Sequence, residues 1–145
     1  MSREDEIQLV RQIVSRSDES HEAVIERLGG ERTHTILRAA LRVAVAFQFP
    51  PGTPPEMTRK FAVYAKGRFR HADAKVDVSA LEAVLKAAQN GGEPSEVHSP
   101  DTLLSMMFLA TYAIMSRARL NRKALENYVE HVLIQAGPPA DAYTA

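Results

Sequence analysis

Between clusters of glycine and proline, apolar positions recur along this chain at three- and four-residue intervals, the period of a helix face. Ile7, Val10, Val14, Ser17, His21, Val24 and Leu28 keep that spacing through residues 3–28. A continuous helix puts all seven on one side. Ser17 followed by Asp18 and Glu19 is also an N-cap with acids in the first turn, so the segment reads equally as two helices broken near residues 15–17. Gly29-Gly30 closes it as a C-cap pair. Residues 33–48 are apolar around most of the circumference: Ile36, Leu37, Ala40, Leu41, Val43, Ala44, Val45 and Phe47 leave only Arg38 and Arg42, one turn apart, as a polar stripe. A helix with so little polar surface is expected at the centre of the fold.

Phe49-Pro50-Pro51-Gly52 stops that helix, and Thr53 and Glu56 stand at the spacing of a capping box with Pro54 at the first helical position. The next helix then carries Met57, Phe61, Tyr64 and Ala65 on one face and ends near Gly67, or runs on towards His71. Residues 68–78 read as a loop, the alternation Lys75-Val76-Asp77-Val78 being too short for a strand and lacking a partner. Ser79 and Glu82 suggest a second capping box, ahead of a short helix with Leu81, Val84, Leu85 and Ala88 inward and Asn90-Gly91-Gly92 as its stop. Ser99 with Pro100 opens a third helix start, followed by the nearly apolar residues 103–115. Asn121 caps a last helix with Leu125, Tyr128, Val129, Val132 and Leu133 inward, ended by Gly137-Pro138-Pro139.

The sum is an all-α fold of six to seven helices and no sheet, a compact bundle or orthogonal array with 33–48 and 100–116 packed centrally. A length of 145 residues makes one domain over 1–145 the expectation, with 138–145 a frayed tail. An apolar fraction of 45% and a charged fraction of 25% are those of a chain that folds, not of a disordered one. There is no cysteine, which excludes disulfides and thiolate metal sites and favours the cytoplasm. Residues 1–6 are acidic, without the basic and apolar regions of a signal peptide. The 13 residues 103–115 fall short of the roughly 20 that cross a bilayer, so no membrane partner is expected.

Charge is balanced in total and segregated in sequence. Residues 1–31 hold eight acids against four bases, whereas residues 32–75 hold nine bases against two acids. Within the basic stretch, Arg59, Lys60, Lys66, Arg68, Arg70 and His71 follow one another without an acid and alternate with Phe61, Tyr64 and Phe69. Bases that hold phosphates and rings that stack on nucleobases are the elements of a nucleic-acid surface, which Arg38, Arg42 and the cluster over 117–123 would extend. The helical face containing Phe61 and Tyr64 argues the opposite, since rings that share a face with Met57 belong to the core.

Other chemistry is sparse. Asp18 with His21, and Glu31 with His34, have carboxylate–imidazole spacing, and Glu126 and Glu130 would complete a di-metal set. Glu31 and His34 fall at a helix start, however, and the two glutamates on a solvent face, so no metal and no cofactor are expected. No phosphate-binding loop, dinucleotide-binding turn or nucleophile elbow occurs. His98, near Glu96 and Asp101, is an acid–base candidate with no nucleophile assigned to it, and no catalytic residue is inferred. The reading that remains is a helical protein-interaction module, an adaptor, regulator or assembly subunit that binds a protein partner or itself. Its charged contacts are expected at Arg38, Arg42, Arg59, Lys60, Lys66, Arg68 and Arg70. Nucleic acid binding through 59–71 is the alternative.

Overall fold

A computed structural model describes residues 3–15, 30–69, 76–92 and 97–138, and these form six helices and no strand: α1 (Arg3–Ser15), α2 (Gly30–Gln48), α3 (Glu56–Arg68), α4 (Val78–Asn90), α5 (Pro100–Ala118) and α6 (Arg122–Ala136). The second half of the expected 3–28 segment, with Ser17, His21 and Leu28, lies outside the described residues, as do Arg70 and His71. None of the described helices is long and apolar enough to cross a membrane.

The two helices expected at the centre do pack on each other. α2 lies against α5, α6 and α4, while α5 also meets α4 and α1. α1 crosses α5 and α6, and α3 is carried chiefly by α4. Ile36, Leu37, Ala40, Leu41, Ala44 and Val45 of α2 are buried against Met106, Met107, Ala110, Ile114 and Met115 of α5 and Tyr128, Val129, Val132 and Leu133 of α6 in one core. Alanines at 40, 44, 110 and 113 let these helix axes approach closely. Inside this core the Tyr128 hydroxyl donates to the Ala40 carbonyl at 2.7 Å, and burial raises its pKa above the usual value.

Several local expectations shift by a residue or a turn. The capping box at Thr53 is not formed. Pro50-Pro51-Gly52-Thr53 is instead a turn with Gly52 at φ 93°, the geometry in which proline precedes a glycine of positive φ. The Thr53 amide and hydroxyl both donate to the Pro50 carbonyl, at 3.1 and 2.6 Å. With that hydroxyl engaged, α3 starts at Glu56 behind Pro55 and has no side-chain cap. Its buried face is Phe61 with the small residues Thr58, Ala62 and Ala65, while Met57 and Tyr64 turn outward.

The second box is displaced too. Asp77, not Ser79, caps α4, its carboxylate accepting from the Ala80 amide at 3.0 Å. Phe69, assigned to a loop, is the C-cap of α3 and a core residue, with its ring 5.6 Å from that of Tyr112. Gly30 does not end a helix but begins α2. The starts at Ser99-Pro100 and Asn121 are as expected: their side chains accept from the amides of Thr102 and Ala124 at 3.2 and 2.8 Å. On α1 the buried face is centred on Leu9, Val10 and Ile13, with Ile7 and Val14 at its margins.

Candidate interaction surface

The basic residues do not form one surface. Arg42 is exposed and Arg38 half-buried on α2, whose main neighbours do not include α3. Burial, and then the Arg38 charge, hold the neighbouring His34 below its ordinary pKa. On α3, Arg59 is 68% exposed and reaches Glu82 of α4 at 3.6 Å, a carboxylate that Lys86 also approaches at 3.1 Å. Lys60 and Lys66 are exposed and have no ion-pair partner among the described residues. Arg68 donates to the Tyr64 hydroxyl at 3.0 Å and stands 5.6 Å from the centre of the Phe69 ring. From α5, Arg117 lies 5.1 Å over the Tyr64 ring. Tyr64 is thus held between two guanidinium groups, one from each helix, each favoured by the negative face or oxygen of the ring. Of the three interleaved aromatics only Tyr64 is accessible, at 39%; Phe61 and Phe69 are buried.

The acidic beginning of the chain and its basic middle meet within one subunit. Arg32 donates from Nε and Nη2 to the two oxygens of Glu6, both at 2.9 Å, and from Nη2 to the Gly137 carbonyl at 2.7 Å. Their side chains are only 10% and 6% exposed. This planar, two-pronged pair ties α1, the first turn of α2 and the end of α6 together. It lies beside a cleft of about 310 Å³ whose wall includes Leu133 and Ile134. Neither residue had been singled out in the sequence, where each is one charge among many.

A second concavity is apolar. Val43 and Phe47 of α2, Met115 of α5, Leu120 of the following turn, and Ala124, Asn127, Tyr128 and His131 of α6 line a groove of about 250 Å³. Its floor is fixed by the Tyr128–Ala40 hydrogen bond. Its rim carries Phe47, 65% exposed, and farther along α6 Ile134 is 70% exposed. A singly exposed apolar residue is unremarkable in itself; Phe47 differs from Ile134 in that its ring borders the apolar groove. Phe47 is one of the apolar positions spread around the circumference of α2, and it is exposed because α2 faces its neighbours on the side of residues 33, 36, 37, 39, 40, 41, 44 and 45.

Candidate chemistry elsewhere stays dispersed. Glu31 and His34 are exposed in the first turns of α2, Glu126 and Glu130 are exposed on α6, and Asp18 and His21 lie outside the described residues. No group of three metal-ligating side chains occurs among the described residues. His98 Nε2 sits 3.3 Å from the Ser79 hydroxyl on an exposed surface. No family model, curated protein or solved structure matches this chain.

Proposed function

We propose that this chain is a helical protein-interaction module, an adaptor, regulator or assembly subunit, that receives apolar side chains of a protein partner in the groove between α2 and α6. The observation that carries the reading is the groove itself, apolar and rimmed by the exposed Phe47. Binding free energy at such surfaces concentrates in a few aromatic and aliphatic anchors seated in pockets. The exposed Arg42 beside Val43 supplies a rim charge that orients a partner without carrying most of the affinity.

The test is a photo-reactive phenylalanine analogue at Phe47, compared with the same group at Lys86 on α4, in the cells that make the protein. The reading expects cross-links at 47, identified by peptide sequencing, that are lost when Ala124→Glu blocks the groove. Equal capture at both positions would remove the groove from consideration.

A second reading rests on the Arg68–Tyr64–Arg117 arrangement with the exposed Lys60 and Lys66 beside it. It supports nucleic acid binding through α3. One accessible ring stacks on one base, which ranks this reading below the first. Anisotropy titrations with oligonucleotides at two salt concentrations decide it. Steeply salt-dependent binding, lost in Arg68→Glu with Arg117→Glu, is the expected signature.

A further inference from the structure

Resting on the groove reading, we infer that the occupant of the groove is a second copy of this chain, docked through an antiparallel pairing of α6 with α6. The argument comes from four side chains. Lys123, Asn127, Glu130 and Ile134 are all exposed and spaced four, three and four residues apart, so they form one stripe on the outer side of α6, beside the groove. The stripe is self-complementary. A two-fold axis through Asn127 places each residue opposite the one equally far beyond 127 in the second copy. Asn127 then faces its own equivalent, and Ile134 comes level with the start of α6 in the second copy, the end at which Leu120 and Ala124 line that copy's groove with Phe47. Lys123 comes within one residue's rise, about 1.5 Å, of the level of Glu130 on the opposing helix.

The single chain gives Lys123 and Glu130 no ion pair among the described residues and leaves Ile134 mostly exposed, at the wall of the cleft beside Arg32. Seven residues apart, the two charges are separated by about 10.5 Å along their own helix, too far to pair there. Ile134 is 70% exposed although it is one turn from the groove residue His131. The second copy satisfies all three at once: two Lys–Glu contacts related by symmetry, and an isoleucine entering each groove. An isoleucine side chain is well within the groove's volume of about 250 Å³.

The charge pair gives a test that a change in folding cannot imitate. Sedimentation of the native chain over a concentration range should show a species of twice 16.0 kDa. Ile134→Asp should return it to the monomer, with a melting curve that matches the native one at concentrations too low for the dimer and loses the native chain's rise in Tm with concentration. Lys123→Glu and Glu130→Lys should each weaken the dimer at least about tenfold by setting like charges against each other. Mixed in equal amounts, these two variants should associate again, because each then presents the sign that the other lacks; the same holds for both substitutions in one chain. A native chain that stays monomeric to millimolar concentration, or a dimer indifferent to Ile134→Asp, overturns the inference. So does a mixture of the two charge variants that fails to recover. Cross-links from Phe47 to another protein by a monomeric chain would overturn it while leaving the groove reading in place; absence of both cross-links and association would overturn the two together.

Discussion

Arg32 and Arg59 belong to the same basic stretch and differ in nearly every physical respect. Arg32 is 10% exposed and spends its guanidinium on three hydrogen bonds to Glu6 and Gly137. Arg59 is 68% exposed and reaches its acid, already shared with Lys86, at 3.6 Å. Segment charge treats the two as equal. Their energetic weights follow instead from desolvation: a buried, paired ion cannot lose its partner without leaving a bare charge in a medium that solvates it badly, whereas an exposed one returns to water. The comparison also shows that charge segregation along the chain does not report which charges are buried and which are exposed. Its most fully paired expression is an internal clamp between Arg32 and Glu6.

The clamp should therefore give the largest effect. Arg32→Met is expected to cost about 3–5 kcal/mol in urea unfolding, because it strands the Glu6 carboxylate and leaves the Gly137 carbonyl without that donor. Adding Glu6→Leu should recover part of the loss, since removing both charges avoids the stranded ion. A cost below about 1 kcal/mol for the single change would break the comparison at its stronger end. Tyr128→Phe comes next. It removes a buried neutral hydrogen bond to Ala40 while keeping the ring, and should cost about 1 kcal/mol in the same assay.

How much of this was readable in sequence depends on whether a feature is local. The all-α fold, the central pairing of α2 with α5, and the caps at Ser99 and Asn121 follow from periodicity and from residues acting within one turn. The caps at Thr53 and Ser79 were misassigned because each has a local competitor. The Pro-Pro-Gly turn takes the Thr53 hydroxyl, and Asp77, two residues earlier and a stronger acceptor, takes the α4 start. Helix faces were legible to within about one residue's rotation, roughly 100°, which suffices for the interior but not for the boundary. Phe47, Met57 and Tyr64 all sit at that boundary and all proved exposed. The groove, the clamp and the Arg68–Tyr64–Arg117 arrangement join helices distant in sequence. No spacing rule reports such contacts. On α6 the solvent face was legible at Glu126 and Glu130, but the exposure of Ile134 on the same side was not.

At the weaker end, Arg59→Ala should change stability by less than about 0.5 kcal/mol, within the range of exposed pairs, and Lys86 remains to meet Glu82. Raising salt should alter native and variant stability alike. If instead Arg59→Ala costs more than about 1 kcal/mol, the buried Oε2 of Glu82 depends on Arg59 more than its exposure implies, and the two arginines are closer in kind than their surroundings suggest.

The smallest effect should be the pH dependence at His34, and it probes a third situation, a base beside a base. Burial first, and Arg38 second, hold its pKa in the folded chain below the ordinary value of 6.5. The unfolded chain therefore takes up a proton at higher pH than the folded one, and the contribution to stability falls as pH drops below about 6.5 and levels off once the folded form has titrated too. His34→Gln should flatten that part of the stability–pH curve. Arg38→Gln should shrink it without abolishing it, because the larger cause is burial. His34 is exposed for the most part, so the slope is expected to be shallow. Chemical denaturation at closely spaced pH values from 7.5 downward would resolve it. A slope of opposite sign that His34→Gln abolishes would mean that the imidazole gains an acid on folding and not the company of Arg38.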